Sequence, residues 1–172
     1  GLVVNRQLIV GPNAITGEWG HNPLPGYDPA LDGPSQPCYC GRDNCIERFV
    51  SGTGFAGRFV ERHGRGLSPS GIITAAAEGD VEAEAHYDHF IQALARSVAS
   101  LINVLDPDVI VLGGGLSNID RLYLDLPQAL TPYLFSDRCI TPMVPARYGD
   151  SSGVRGAAWL PSCVEGATTW TI

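Results

Sequence analysis

Positive charge is in short supply in this 172-residue chain: Lys and Arg together number 11 against 18 Asp and Glu, a net charge of -7. Nucleic acid and anionic membrane surfaces call for a basic face, so neither is expected as a partner. A small anion stays admissible, because backbone amides and Mg²⁺ can hold one without bulk charge. Long apolar runs are also missing, which excludes a bilayer-spanning helix, and no secretory signal pattern opens the chain. An even set of cysteines is absent. There are 5, three of them within eight residues, with Cys139 and Cys163 far apart. A disulfide framework would use an even number, and a cytoplasmic protein with a metal cluster fits this usage better. Internal repeats and low-complexity tracts are not found. No initiator methionine precedes Gly1-Leu2-Val3-Val4-Asn5, which already reads as strand. The expectation is a piece of a longer protein.

What is present is ordinary globular material, 44% hydrophobic and 17% charged, enough for one domain with a sizeable core. Leu2-Val3-Val4 and Leu8-Ile9-Val10 flank Asn5-Arg6-Gln7 and predict a β-hairpin. Residues 11–45 are rich in Gly, Pro, Asn and Asp and read as loop. A loop so long is functional or tied down. Helical spacing returns at Ile46, Phe49 and Val50. It resumes at Phe55, Phe59 and Val60 after a break at Gly52-Thr53-Gly54, which reads as a helix–helix junction. Ser70 is the expected cap of a short helix through Ile72, Ile73 and Ala76, and Asp80 of the next. That next helix, about 80–105, is the clearest element: Tyr87, Phe90, Ile91, Leu94, Val98, Leu101, Ile102 and Leu105 recur at three- and four-residue steps. Asp106-Pro107 ends it.

Val109-Ile110-Val111-Leu112 has the β-branched run of a buried strand and leads into Gly113-Gly114-Gly115. Helices follow around 119–135, with Pro127 suited to a first turn. Thr141–Arg147 holds two prolines and reads as an edge strand. Gly149-Asp150-Ser151-Ser152-Gly153 turns into a last helix through Leu160. The order predicts an α/β domain with helices packed on a sheet. It comprises residues 1–160, with a metal loop at 17–47, a strand and glycine loop at 109–117, and a tail at 161–172.

The array within the loop carries the chemistry. His21 in Gly17-Glu18-Trp19-Gly20-His21 is followed by Cys38, Cys40 and Cys45, spaced H-x16-C-x-C-x4-C, and at once by Ile46-Glu47. Three thiolates and an imidazole form the closed tetrahedral shell that structural zinc prefers. The alternative is three buried or oxidised cysteines and an unrelated histidine, although adjacent C-x-C disulfides are strained. On the residues alone Glu18 reads as a solvated loop acid. Glu47 reads as a first-turn helix acid favoured by the helix dipole. Gly113, Gly114 and Gly115 would let a backbone approach a flat or anionic ligand, yet any tight strand-to-helix turn tolerates them. His63, His86 and His89 match no ligand pattern and read as exposed or capping. Arg155 could neutralise a phosphate or sit in a surface ion pair.

Taken together these motifs resemble the ROK sugar kinases. The carriers are Gly1-Leu2, Gly11 and Gly17-Glu18-Trp19-Gly20-His21; the C-x-C-G-x-x-x-C-x-E pattern from Cys38 to Glu47; Ser51-Gly52-Thr53-Gly54; and Asp106-Pro107-Asp108 through Gly115. His21-Asn22-Pro23-Leu24-Pro25 and Gly149 through Trp159 look most like the fructokinase/mannokinase branch. The resemblance implies the carboxy-terminal domain of an actin-like (hexokinase/ribonuclease H-like) fold with a zinc-bound loop. It further implies structural Zn²⁺ on His21, Cys38, Cys40 and Cys45, sugar contacts from Glu18, His21 and Glu47, and the adenosine end of Mg²⁺-ATP along Gly113, Gly114 and Gly115. Absent from this sequence are the Asp-x-Gly-Gly-Thr phosphate loop and the segment bearing the family's catalytic aspartate. The implied activity is phosphorylation of a hexose, fructose first, by a longer protein that includes an amino-terminal domain and forms a homodimer. The isolated chain is expected to be inactive. Two other readings stay open: a sugar-sensing transcriptional repressor of the same family, and a non-catalytic sugar-binding or dimerisation module.

Overall fold

A computed structural model describes the backbone of residues 1–165 and the side chains of residues 1–158. Asn5 and Arg6 take positive φ, 51° and 64°, the left-handed pair that closes a two-residue hairpin turn compatible with strand twist. β1 (Val3–Val4) therefore pairs antiparallel with β2 (Gln7–Leu8), with Val3 opposite Leu8 and Val4 opposite Gln7. The predicted hairpin is present, with Gln7 in the strand rather than in the turn. The loop that follows contains one helical turn at Trp19–His21 and the short α1 (Pro29–Asp32), whose first turn is capped by the Asp28 carboxylate accepting from the Ala30 N–H.

Two helices meet at an elbow after the loop. α2 (Glu47–Val50) ends at Ser51, which at once N-caps α3 (Gly52–His63) through its hydroxyl and the Gly54 N–H. The break thus lies at Ser51, and Gly52-Thr53-Gly54, expected as the junction, form the first turn of α3. Gly54 is where the elbow needs glycine. A β-carbon there would fall inside the envelope of the Arg48 carbonyl and 2.9 Å from that of Glu47.

α4 (Pro69–Ala77) is capped by Ser68, not Ser70, because Pro69 occupies the first helical position and the Ser68 hydroxyl accepts from Gly71 N–H. α5 (Val81–Leu105) begins as expected at Asp80, whose carboxylate accepts from the Glu82 and Ala83 N–H groups, and ends where Asp106 turns left-handed at φ 41°. Its apolar stripe is the spine of the core. Tyr87, Phe90, Ile91, Leu94, Val98 and Ile102 pack with Phe55 and Phe59 of α3, Ile72 of α4, and Leu122, Leu126 and Leu130 of α6 (Leu122–Leu130). Pro127 lies inside α6 rather than in its first turn. Side chains of this size stabilise by about 1.5–3 kcal/mol each when fully removed from water.

β3 (Ile110–Leu112) pairs in parallel with β4 (Met143–Pro145), Ile110 opposite Met143, which makes β4 the expected edge. β3 is not the buried strand its composition predicts. Ile110, Leu112 and Met143 face the helical core, whereas Val111 is 58% exposed, because one layer of helices covers one face only. α7 (Ser152–Glu165) runs past residue 160, so residues 161–165, read as tail, are helical. The remainder of that tail, 166–172, lies outside the described residues. The fold is α/β, with helices predominating and, among the described residues, two short two-stranded sheets.

Candidate functional site

The array at Cys38–Cys45 is shaped by a tight turn. Cys38 N–H donates to the Arg42 carbonyl and Gly41 N–H to the Cys38 carbonyl, while Gly41 and Asn44 adopt positive φ of 83° and 57°. Two isolated bridges, Pro37 with Asp43 and Pro23 with Cys45, lay the turn across the segment that carries His21. The result brings His21, Cys38, Cys40 and Cys45 together, their ligand atoms all within 4.8 Å of one another. The His21 Nδ1–Cys38 Sγ and Cys40 Sγ–Cys45 Sγ separations are both 3.5 Å. A tetrahedron with metal–sulfur bonds of about 2.3 Å has edges of about 3.8 Å, so the four atoms are spaced to hold one ion.

The thiols differ in their surroundings. Burial pushes the Cys45 thiol up to about 12, whereas a backbone hydrogen bond from Arg42 draws the exposed Cys40 down to about 7. A bound cation would favour the thiolate at all three positions.

His21 presents its other nitrogen outward. Nε2 lies 2.8 Å from the Tyr39 hydroxyl and 3.7 Å from Glu47 Oε2, and the Tyr39 and His21 rings meet edge-on, their centroids 5.0 Å apart. Glu47 is the first residue of α2, and Gly20 lies against it. Glu18 is exposed, one residue before the Trp19–His21 turn. Among the described residues it makes no side-chain hydrogen bond or ion pair; partial desolvation first, then the charges of Glu47, Cys38 and Glu18, hold the Tyr39 phenol above its ordinary range. Of the predicted sugar contacts, His21 and Glu47 are thus brought together, while Glu18 lies three residues before His21 on the exposed side of the loop. Tyr39, which sits between two of the clustered cysteines in sequence, is not identified by the spacing.

The rest of the loop is fastened by arginines. Arg96 of α5 grips the buried Asp32 with two nitrogens and also donates to the Gly26 carbonyl at 2.8 Å. Arg62 reaches the Leu31 carbonyl at 3.2 Å, Gln36 donates to Glu61 at 2.8 Å, and Arg58 lies over the Phe49 ring at 4.4 Å. The glycine loop meets the body at the start of α3. Gly114 has φ 79°, and the helical turn Gly115–Asn118 places Leu116 against Gly52 at the start of α3. Gly113, Gly114 and Gly115 are exposed. They adjoin the α2–α3 elbow without joining the His/Cys cluster.

Three side chains outside the site depart from expectation. His86 is buried, its Nε2 2.8 Å from the Phe55 carbonyl, and burial depresses its pKa to about 4. It lies on the core stripe, three residues after Ala83 and four before Phe90, a spacing that could have revealed it. His63 is half-buried against Phe59, and His89 is exposed as expected. Arg155 stacks over the Tyr148 ring at 4.8 Å.

A model of the ROK family matches residues 1–163. The chain belongs to that family. An N-acetyl-D-glucosamine kinase of Yersinia pseudotuberculosis is 42% identical over 163 residues, covering 93% of this chain and 54% of its own length. The crystal structure of a ROK hexokinase from Thermus thermophilus superposes with a TM-score of 0.76 at 26% identity, over 97% of this chain and 54% of that one. A ROK family transcriptional regulator, a homologue of the E. coli MLC protein, superposes at TM-score 0.70 and 24% identity, over 94% of this chain and 42% of that one. This ROK chain therefore spans about half the length of the relatives it matches. Among the described residues no helix is long and apolar enough to cross a membrane.

Proposed function

We propose that this chain is the sugar-orienting part of an ATP-dependent sugar kinase, built around a structural Zn²⁺ held by His21, Cys38, Cys40 and Cys45. One observation carries the reading: His21 turns Nδ1 toward the thiol cluster and Nε2 toward Glu47. The ion that fixes the loop thereby fixes the wall on which Glu18, His21 and Glu47 stand. Three thiols and an imidazole suit zinc rather than Mg²⁺ or Ca²⁺, and four protein ligands leave no open position for a catalytic water.

Ionised carboxylates accept only, so Glu18 and Glu47 match a ligand made of hydroxyl donors. His21 reaches the same ligand through Nε2 once the Tyr39 ring, 82% exposed, swings aside. On the other side of the α2–α3 elbow, Gly113, Gly114 and Gly115 give the adenosine end of Mg²⁺-ATP a backbone it can approach closely. The cation would spread charge on the transferred phosphoryl group, and the acceptor hydroxyl needs a positioned base. None of the three sugar-wall residues is assigned that role. Base and phosphate loop are proposed to belong to an amino-terminal half, with which this chain acts in a cytoplasmic homodimer.

The names of the curated relatives make N-acetyl-D-glucosamine the first acceptor to test and place fructose, favoured by the sequence motifs, second. The regulator's likeness is one of fold, which kinases and repressors share, so the repressor reading gains no support from it. Coupled ADP release should be measured with N-acetyl-D-glucosamine, fructose, mannose and glucose, for this chain alone and joined to the amino-terminal half of the Yersinia relative. Turnover is expected only in the joined protein. Robust turnover by the chain alone would overturn this division of labour.

A further inference from the structure

We infer that Tyr39 is a positioning residue for the metal clasp in the ligand-free chain: until a ligand takes its place at Nε2, its hydroxyl accepts the Nε2 proton of His21, fixes the imidazole tautomer, and leaves the Glu47 carboxylate free. The inference rests on the metal reading above and goes beyond it, since Tyr39 is neither a metal ligand nor one of the proposed sugar contacts.

The argument begins with His21 itself. A neutral imidazole carries one proton, and the nitrogen that binds a metal must be the bare one. Nδ1 faces the thiols, 3.5 Å from Cys38 Sγ, so the proton belongs on Nε2. Two oxygens compete for it. Tyr39 Oη stands at 2.8 Å and Glu47 Oε2 at 3.7 Å. The first is a hydrogen-bond distance and the second is too long for one. The ring nitrogen opposite a metal generally donates to an oxygen that holds the ring in orientation, and here that oxygen is phenolic. The alternative acceptor, a carboxylate, would tie up the group best suited to a sugar.

The turn geometry explains how Tyr39 gets there. Cys38 and Cys40 both point into the cluster, so the residue between them projects away from it. The Gly41 N–H to Cys38 carbonyl bond then folds that residue back over His21, where the rings meet edge-on. With 82% of its surface exposed, Tyr39 has little packing to lose. A change there reports on the hydrogen bond rather than on the core.

The test uses the full chain and Tyr39→Phe, which keeps the ring and removes the hydroxyl. Zn²⁺ affinity is measured by competition with a chromophoric chelator, and the His21 tautomer by NMR of the ¹⁵N-histidine-labelled protein. Tyr39→Phe should weaken Zn²⁺ binding on the order of ten-fold and alter the His21 Nε2–H resonance, while Glu47→Gln stays within about two-fold of wild type, as expected for a group outside hydrogen-bond range. Unchanged affinity and resonance in Tyr39→Phe would sink the inference. So would a Glu47→Gln loss as large as that of Tyr39→Phe, since the carboxylate would then be the true acceptor. A wild-type chain that binds no Zn²⁺ overturns the metal reading itself, and this inference with it.

Discussion

The loop at 17–47 and the helical body at 52–130 hold their shapes by different means. The body is filled by side chains: α5 lays one long stripe against α3, α4 and α6, and Phe59, Ile72, Leu126 and Leu130 are fully buried. The loop has a small apolar cluster of its own, in which Leu24 packs with Phe49 and Ala93. Its shape depends on point attachments: four potential metal ligands, the Arg96–Asp32 pair, and arginine contacts to backbone carbonyls. Packing is distributed and tolerates local loss. Point attachments concentrate the same task in a few groups, and each missing one frees a long stretch of chain.

Metal removal should show that contrast most strongly. A chelator is expected to abolish hydrogen-exchange protection at the Cys38 and Asn44 amides while those of Tyr87–Val98 keep theirs. Equal loss in both regions would mean that the loop is not a separate unit. Next comes Phe59→Ala in the body, expected to cost about 3–5 kcal/mol in global unfolding by denaturant. Asp32→Ala attacks the loop through its buried ion pair. It leaves the Arg96 guanidinium without its carboxylate, at about 3 kcal/mol, and should raise proteolytic cleavage within residues 22–37 before the body melts.

The smallest effect expected is on pH. His86 has a folded-state pKa of about 4, below its ordinary 6.5. The unfolded chain therefore takes up its proton first as pH falls. The stabilisation is complete above pH 6.5 and is lost progressively down to about 4. His86→Gln should flatten the thermal midpoint across that window, and an unchanged slope would assign the dependence to other groups.

The two regions also differed in how much their sequences revealed. In the body, periodicity and caps are local signals, so α5 could be bounded from Asp80 and Asp106 alone. Errors arose where two residues offered the same chemistry: Ser68 and Ser70 both suit an N-cap, and the deciding neighbour is Pro69. Val109–Leu112 reads as buried because composition records apolarity and not how many layers lie above a strand. In the loop, the clustering of His21 with the three cysteines was legible because three cysteines within eight residues have few uses. The fastening was not. Asp32 and Arg96 are 64 positions apart, and neither pattern names the other. Tyr39 follows from the path of a turn that spacing does not describe.

The Ser51 elbow has one more implication. Glu47 and Arg48 can lie as near to α3 as they do only because Gly54 contributes hydrogen where every other residue has carbon. One added methyl would lever α2 outward and carry the Glu47 carboxylate with it. The aim of that acid is therefore set seven positions downstream, by an atom that is not there.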